Sequence, residues 1–299
     1  MTPSPTSATR LFALLGDPVS HSLSPVFQNA ALRTLGLDGV YVALRCASGD
    51  VAGLLRGIAR AGGGGNVTVP HKEAAAAAVD RLGAAAEATG AVNCFWMRDG
   101  EVWGDNTDVD GLRAAIRVLL GRTTAGGSVL VAGAGGAARA AVHVLLHSGA
   151  ERVVVLNRTA ERARDLADRF GAPRRLDIVD SVEALGTESF DLAINATSLG
   201  LREGDPLPFP AEAGCRIDAA LDMVYSPGGE TPWVRAMRHA GIPAADGTEM
   251  LLHQGAAAFR RWWDREPPIK VMRAALRANA AGTDDGEMRG DSQAAQRSG

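Results

Sequence analysis

The feature that most constrains the fold is a glycine-rich turn between an apolar strand and a helix. Residues 128–132 are almost continuously apolar, and residues 133–138 read Gly-Ala-Gly-Gly-Ala-Ala, which fits G-x-G-x-x-[GA]. Glycines in such a turn let backbone N–H groups approach a pyrophosphate, and the N-terminus of the following helix favours negative charge. The pattern predicts dinucleotide binding, the alternative being a plain turn. The predicted contacts are Gly133, Gly135, Gly136, Ala137 and Ala138.

Strands and helices alternate after this turn. Short apolar runs at 153–156, 191–194, 220–223 and 242–244 are separated by helical segments that include residues 160–170 and 233–239. Such alternation predicts βαβ units and a parallel sheet buried on both faces.

The N-terminal third predicts a second α/β unit. Apolar runs at 11–15, 40–44 and 66–69 flank a helix at 24–35, with a glycine loop at 62–65 before the third run. Asp99-Gly100 predicts a hairpin turn, and the Ala-rich residues 73–89 predict one helix. A chain of 299 residues suits two domains, so we predict a two-domain α/β protein with mostly parallel sheets.

Bulk composition excludes several function classes. The net charge of -3 gives no basic surface for nucleic acid, and no apolar run reaches the ~18 residues that a membrane span needs. Three cysteines without a CxxC pair predict neither disulfides nor a zinc knuckle. His143 and His147 have a spacing that can bind metal on a helix, but no third ligand is evident, so we expect no metal. The N-terminus lacks a signal-peptide pattern, so we expect a cytoplasmic protein, as a monomer or homodimer.

The end of the second strand of the dinucleotide unit indicates which cofactor binds. Residues 156–162 read Leu-Asn-Arg-Thr-Ala-Glu-Arg, without the acidic residue that binds the ribose 2′-hydroxyl of NAD. Arg158 and Arg162 are four residues apart, and guanidinium groups bind phosphate oxygens in pairs. We therefore predict NADP rather than NAD, the alternative being two solvated arginines.

Seven further segments occur in an order that resembles the shikimate dehydrogenase family. They are GDPVSHSLSP at 16–25, NVTVPHK at 66–72, GAVN at 90–93, GDNTD at 104–108, NATSLG at 195–200, DMVY at 222–225 and GTEMLLHQG at 247–255. The resemblance covers about residues 11–278. It implies a substrate domain at 10–111, a Rossmann NADP-binding domain at 112–246, helices at 247–280 that return to the first domain, and an active site in the cleft between the domains. Composition predicts that the tail at 281–299 is disordered.

The resemblance implies NADPH-dependent reduction of 3-dehydroshikimate to shikimate, with Lys72 and Asp108 as the catalytic pair. If the two side chains meet, the ammonium can hydrogen-bond the reacting oxygen while the carboxylate orients it and helps to move the proton. Which of them is the formal acid or base stays open. Without the resemblance, Lys72 reads as a surface lysine at a helix start and Asp108 as a helix N-cap.

The resemblance also assigns the substrate contacts. Ser22 and Ser24 would bind the substrate carboxylate with Tyr225, and in an extended segment the two serines would point to the same side. The alternative is that Ser24 caps the helix that follows Pro25. The ring hydroxyls would be bound by Thr68, Asn93, Asp108 and Gln254, although Asn93 and Gln254 also read as ordinary polar residues of a loop or helix end.

The remaining cofactor contacts are implied in the same way. Asn157 and Thr159 would complete the clamp around Arg158, whereas the nicotinamide half and its surroundings would be contacted by Thr197, Ser198, Met223 and Gly247. Met223 reads equally well as a core residue at a strand end.

The chain departs from the family at Cys94, where threonine is more usual. A quinate or aminoshikimate dehydrogenase and a non-catalytic ligand sensor therefore stay as alternatives. Ser24 and Arg158 argue against the quinate enzymes, which often alter that serine and use NAD.

Overall fold

The computed structural model describes residues 5–172, 174–200, 204–211, 214–226 and 229–279, and this part of the chain contains two six-stranded sheets. The first sheet has the strand order β2-β1-β3-β5-β6-β4 and is parallel except for β5. Its strands are β1 (Arg10–Gly16), β2 (Gly39–Arg45), β3 (Gly64–Val67), β4 (Arg81–Leu82), β5 (Cys94–Arg98) and β6 (Glu101–Asp105).

Helices α1 (Ser24–Thr34) and α2 (Val51–Arg60) are the crossovers between the parallel strands of this sheet. The predicted helix at 24–35 is confirmed, whereas α2 was not predicted. The predicted hairpin is confirmed as well, because Asp99 and Gly100 join β5 to β6 with φ values of 52° and 80°. Positive φ at both positions is what a primed turn requires.

Strand β3 begins two residues earlier than predicted, so Gly64 and Gly65 lie in the sheet and not in a loop. A Cβ on Gly65 would lie 2.0 Å from the carbonyl oxygen of Ala13, and one on Gly64 would lie 2.7 Å from that of Phe95. These glycines are therefore explained by close backbone approach within the sheet.

The single helix predicted for the Ala-rich residues 73–89 is wrong. The structure has α3 (Lys72–Ala78), the short strand β4, and α4 (Ala84–Thr89). The backbone N–H groups of Asp80 and Gly83 donate to the carbonyl groups of Val102 and Gly104 in β6. Pairing with the sheet therefore overrides the helical propensity of the alanines.

The second sheet is entirely parallel, with the order β14-β13-β11-β7-β8-β9 that doubly wound dinucleotide-binding folds adopt. Its strands are β7 (Ser128–Ala132), β8 (Arg152–Leu156), β9 (Leu176–Val179), β11 (Leu192–Asn195), β13 (Ala220–Asp222) and β14 (Ala244–Ala245). A separate pair joins β10 (Ser189–Phe190) to β12 (Arg216–Ile217). The predicted parallel sheet is confirmed, although β9, β10 and β12 were not predicted.

Helices pack on both faces of this sheet. They are α5 (Asp108–Leu120), α6 (Gly136–His147), α7 (Ala160–Phe170) and α8 (Pro232–His239), with a 3-10 turn at Glu183–Leu185. Residues of α5, α6 and α7 form one apolar core with one face of the sheet, and Trp233, Val234 and Met237 of α8 belong to the core on the other.

The C-terminal helices α9 (Thr248–Trp263) and α10 (residues 269–279) pack against the first sheet. Phe259 and Trp262 share a buried core with Phe12 and Tyr41, and the Trp262 indole donates to the carbonyl oxygen of Phe95. Near its start, α9 also contributes Met250 to the core of the second sheet. The predicted tail at 281–299 lies outside the described residues.

No helix in the described residues is long and apolar enough to cross a membrane. The described part of the chain holds no cluster of three or more His, Cys, Asp or Glu residues suited to a metal ion. Cys46, Cys94 and Cys215 are buried free thiols. Burial raises the pKa of Cys94 to about 12, so this thiol stays protonated.

Candidate active site

The candidate site residues lie where parallel strands of both sheets end. The segments after β1, β3 and β6 carry the serines, Lys72 and Asp108. In the second sheet, the segments after β7, β8, β11 and β13 carry the predicted cofactor residues. Since the carboxyl ends of parallel strands share one edge, each sheet presents its set of residues along one edge, which is where α/β sheets bind ligands.

Lys72 and Asp108 form an ion pair. Lys72 begins α3 and Asp108 begins α5, and Lys72 Nζ lies 2.5 Å from Asp108 Oδ2. Their side chains are 18% and 8% exposed. The two alternatives are therefore wrong: Lys72 is not a free surface lysine, and the Asp108 carboxylate binds other side chains instead of capping α5.

Asn93 holds the other oxygen of this carboxylate. Its Nδ2 donates to Asp108 Oδ1 at 2.7 Å, and its Oδ1 accepts from the backbone N–H of Thr107 at 2.7 Å. Asn106 Oδ1 in turn accepts from the backbone N–H of Asp108 at 3.2 Å. Asn93, Asn106 and Thr107 are buried, so Asp108 is fixed from the protein side.

Ser22 and Ser24 lie beside two tyrosines. Burial raises the pKa of Tyr225, and a hydrogen bond with Ser22 partly offsets that rise. Burial also raises the pKa of Tyr41 well above its usual value, and a hydrogen bond with Ser24 opposes the shift. The structure thus brings Ser22 and Tyr225 together, as predicted, and adds Tyr41 beneath Ser24.

The local backbone of these serines differs from the prediction. Leu23 has helical φ and ψ values of -83° and -4°, so the segment is not extended. Ser22 Oγ accepts from the backbone N–H of Ser24 at 3.2 Å. Helix α1 has no side-chain cap, so the reading of Ser24 as a cap is wrong. Pro25 lies in the first turn of α1. Backbone N–H groups there have no partner within the helix, so the missing N–H of proline costs nothing.

Thr68 and Gln254 occupy different surroundings. Thr68 is half-buried between β3 and Lys72, against Gly16. Gln254 is buried on α9, where its Nε2 donates to the carbonyl oxygen of Leu251 and its Oε1 lies 3.5 Å from Thr107 Oγ1. Through Thr107 and Asn93, Gln254 is linked to the Asp108 network.

The glycine turn has room for a phosphate. Gly133 has a φ of 110°, which only glycine adopts readily. A Cβ on Gly135 or Gly136 would meet nothing within 4 Å, and α6 begins with no side-chain cap. Ala137 is half-buried and Ala138 fully buried against the core. The open N-terminus of a twelve-residue helix therefore fits an anionic group.

The arginines after β8 are exposed. Neither Arg158 nor Arg162 makes an ion pair within the described residues. Asn157 is held by a bond from its Nδ2 to the carbonyl oxygen of Thr159, which shapes the turn into α7. Two guanidinium groups beside this turn, without an ion-pair partner in the described part of the chain, fit the 2′-phosphate of NADP.

Thr197 and Met223 follow adjacent parallel strands. In the register of the second sheet, Asn195 of β11 pairs with Asp222 of β13. Thr197 is half-buried and held by Asn195, and Ser198 is exposed. Met223 is only partly buried, although it packs against the core of the second sheet. A Cβ on Gly247 would lie 2.5 Å from the carbonyl oxygen of Met223, so Gly247 packs directly on this segment.

An ion pair joins α6 of the second sheet to α3 of the first, next to the Lys72–Asp108 pair. Arg139, in the first turn of α6, lies 2.8 Å from Glu73, the neighbour of Lys72. Sequence reasoning missed this contact, because nothing in the pattern relates two residues that far apart. The pair therefore links the first turn of α6, which follows the glycine turn, to the start of α3 beside Lys72.

Family models match three parts of the chain. The shikimate dehydrogenase substrate binding domain matches residues 14–95, the shikimate / quinate 5-dehydrogenase model matches 118–200, and the shikimate 5'-dehydrogenase C-terminal domain matches 247–277. A shikimate dehydrogenase (NADP(+)) from Rubrobacter xylanophilus is 44% identical over 90% of this chain and 95% of its own length. The chain belongs to the shikimate dehydrogenase family.

Solved structures of this family share the fold. A shikimate dehydrogenase from Aquifex aeolicus has a TM-score of 0.83 and 35% identity, covering 92% of this chain and 100% of its own. A shikimate 5-dehydrogenase from Thermus thermophilus, in complex with NADP(H) and shikimate, has a TM-score of 0.80 and 39% identity, covering 91% and 100%. The predicted two-domain α/β class is therefore confirmed.

Sequence patterns missed two features of this shikimate dehydrogenase family member, the first of which has a signal in the sequence and the second of which has none. Lys72 is one of only two lysines among 31 basic residues, so arginine serves almost every other cationic position. Lysine differs from arginine in that it can release its proton near neutral pH when its surroundings favour this. Arg261 on α9 bonds Asp105 of β6 at 2.7 Å across 156 residues, a contact that no spacing rule would have found.

Proposed function

We propose that the protein catalyses the reversible, NADPH-dependent reduction of 3-dehydroshikimate to shikimate, a step towards the aromatic amino acids. The observation that carries the proposal is the Lys72–Asp108 pair at 2.5 Å, at the edge of the first sheet that faces the glycine turn. The family membership of the chain supports the substrate and cofactor. A small-molecule substrate held by local groups also suits the net charge of -3.

NADP, when bound, supplies or accepts the hydride. The residues that would hold it are the turn of Gly133, Gly135, Gly136, Ala137 and Ala138 at the pyrophosphate, and Arg158 and Arg162 with Asn157 and Thr159 at the 2′-phosphate. Thr197, Ser198, Met223 and Gly247 would lie by the nicotinamide half. The uncapped helix supports this assignment, as do the two arginines, which form no ion pair with any described residue.

Lys72 and Asp108 would carry out the proton transfer at the reacting oxygen. During reduction the oxygen gains charge, and the Lys72 ammonium stabilises it by a hydrogen bond and donates a proton. Asp108, fixed by Asn93, keeps Nζ in place and stabilises its charge. In the oxidation direction the same group would take up the hydroxyl proton.

The substrate carboxylate would be bound by neutral donors. Ser22, Ser24 and Tyr225 are hydroxyl groups, and burial keeps the Tyr225 phenol protonated by raising its pKa. Thr68, Asn93 and Gln254, with Asp108, would bind the ring hydroxyls. A buried donor or acceptor left without a partner costs binding energy, so this set would select against analogues that lack a hydroxyl.

We also propose which part of the chain binds the substrate and which part binds NADP. Residues 10–111 would form the substrate domain, 112–246 the NADP-binding domain, and 247–280 the helices that return to the substrate domain. The core shared by α9 and the first sheet supports the last assignment. Helix α5 would span the boundary, since it begins at Asp108 and packs in the core of the second sheet.

Initial rates would test the proposed function. Purified protein is assayed for formation of NADPH from NADP⁺ or of NADH from NAD⁺, with shikimate, quinate or aminoshikimate as the substrate. We expect the highest kcat/KM for shikimate with NADP⁺. A preference for another substrate would overturn the substrate assignment, a preference for NAD⁺ would overturn the cofactor assignment, and no turnover with any pair would point to a ligand sensor.

A further inference from the structure

Asp222 is a buried carboxylate to which the proposed reaction assigns no task. It ends β13, it is 0% exposed, and it has no cationic partner in the described part of the chain. Burial raises its pKa to about 6, which expresses the cost of keeping a charge there. A carboxylate that is costly to bury contributes little to stability unless its hydrogen bonds compensate, so the partners of Asp222 decide its role.

Three neutral donors converge on this carboxylate. Asp222 Oδ1 accepts from Asn195 Nδ2 at 2.8 Å and from the backbone N–H of Val224 at 3.0 Å. Its Oδ2 accepts from Thr231 Oγ1 at 2.7 Å. The bond from Asn195 joins the ends of β11 and β13, and the bond from Val224 closes the turn around Met223.

Asn195 in turn holds Thr197 in place by hydrogen bonds. Its Oδ1 accepts from both the backbone N–H of Thr197, at 3.0 Å, and Thr197 Oγ1, at 2.7 Å. Thr197 Oγ1 then accepts from the backbone N–H of Leu199 at 3.0 Å. The turn after β11 is therefore built on the oxygen of the Asn195 amide.

Two acceptors orient the NH₂ group of that amide: Asp222 Oδ1 at 2.8 Å and the carbonyl oxygen of Leu199 at 3.1 Å. An ionised carboxylate only accepts hydrogen bonds, so it requires the NH₂ group of Asn195 to face it. The amide oxygen must then face Thr197. Without an acceptor at position 222 the NH₂ group would keep only the Leu199 carbonyl oxygen, on its own segment, and the bond that ties the amide to the end of β13 would be lost.

We infer that Asp222 is a positioning residue for the nicotinamide half of NADP: it fixes the Asn195 amide, and thereby the turn of Thr197, against the segment of Met223. The inference rests on the proposed function in that it takes NADP as the ligand. It concerns how two segments are held together, and it gives Asp222 no part in the chemistry of the hydride or the proton.

Binding measurements with two ligands isolate this role. NADP⁺ and adenosine 2′,5′-bisphosphate share the 2′-phosphate and the adenosine, but only NADP⁺ has the nicotinamide half. Calorimetric titration of Asp222→Ala is expected to give a Kd for NADP⁺ raised about tenfold, as for the loss of one hydrogen-bonded anchor, and a Kd for the bisphosphate changed by less than about twofold.

Two further variants define the mechanism. In Asp222→Asn the amide oxygen can still accept from Asn195 and Val224, so NADP⁺ affinity should return to within about threefold of the wild type. Asn195→Ala should reproduce the selective loss, and it keeps the inference testable if Asp222→Ala does not fold. The matched control is Thr231→Val, which removes the third donor and leaves the Asn195 amide untouched, so the ratio of the two Kd values should not change.

Equal weakening of both ligands in Asp222→Ala and Asn195→Ala would show a general loss of structure and would overturn the inference. So would unchanged NADP⁺ affinity in either variant, or an Asp222→Asn protein as weak as Asp222→Ala. Wild-type protein that binds neither ligand would instead overturn the proposed cofactor itself, and the inference with it.

Discussion

Replacing Lys72 separates the roles of charge and proton transfer at the site. Lys72→Ala removes the ammonium that lies 2.5 Å from Asp108. Losing a positioned proton-transfer group lowers turnover by roughly 100-fold or more, which corresponds to at least about 2.7 kcal/mol in the barrier. We therefore expect kcat for shikimate oxidation to fall at least ~100-fold.

The same change should cost stability. Leaving a buried charge without its partner costs about 3–5 kcal/mol. Asp108 would keep its bond from Asn93 and its place at the N-terminus of α5, which is favourable for an anion. The expected loss in the free energy of unfolding is therefore smaller, about 1–3 kcal/mol, measurable by denaturant titration.

Lys72→Arg is the informative companion. Arginine keeps the positive charge beside Asp108 but does not give up a proton in proteins, so stability should be largely retained while kcat stays low. Lys270, the other lysine and an exposed one, provides the control: Lys270→Ala should leave kcat and stability unchanged. Near-normal kcat in Lys72→Ala, or full recovery in Lys72→Arg, would refute the assignment of proton transfer to Lys72.

Three further predictions follow from single contacts. Arg158→Ala should raise KM for NADP⁺ about 10–100-fold, as for lost charge-assisted bonds to a phosphate, and leave KM for NAD⁺ nearly unchanged; an equal effect on both cofactors would argue against the 2′-phosphate clamp. Gly65→Ala would bring a Cβ to within 2.0 Å of a carbonyl oxygen of β1, so it should lower the free energy of unfolding by about 3 kcal/mol, and a wild-type melting temperature would contradict the sheet register. Bonds from His253 and Arg273 lower the pKa of Glu249 to about 2, from a usual value of 4.5, so its contribution to stability is present above pH 4.5 and is lost as the pH falls towards 2. Glu249→Gln should therefore destabilise the protein by about 2 kcal/mol at neutral pH and much less at low pH, whereas the same loss at every pH would count against this ion pair.

Local sequence signals predicted the second sheet well. Its strands are buried on both faces and its helices are long, so the alternation of apolar runs and glycine turns is strong. The glycine turn at 133–138 and helix α7 appear where predicted. The paired strands β10 and β12 were not predicted, because a strand of two residues shows no hydrophobic periodicity.

The first sheet was harder to predict, because tertiary contacts decide its details. Alanine propensity favoured one helix where Asp80 and Gly83 pair with β6, and glycine suggested a loop where β3 needs close backbone approach. Both errors have one physical cause: pairing with a neighbouring strand outweighs local preference.

The contact between the two proposed catalytic residues could not be predicted from their spacing. Lys72 and Asp108 are 36 residues apart, and only the family resemblance suggested that they meet. The hydrogen-bond network of Asp222, Asn195 and Thr197 could not be predicted from spacing either. Each residue taken alone is an ordinary polar residue at or near the end of a strand. Hydrogen bonds between side chains depend on the register of β11 against β13, which no single-sequence pattern specifies.

The most direct test of the central claim is to follow a deuterium label. The protein would be incubated with 3-dehydroshikimate and NADPH that carries deuterium at both positions of nicotinamide C4, and the product analysed by mass spectrometry and NMR. Shikimate with one deuterium on its new carbinol carbon is the predicted result. Unlabelled shikimate, or no shikimate at all, would contradict hydride transfer from NADPH to this substrate.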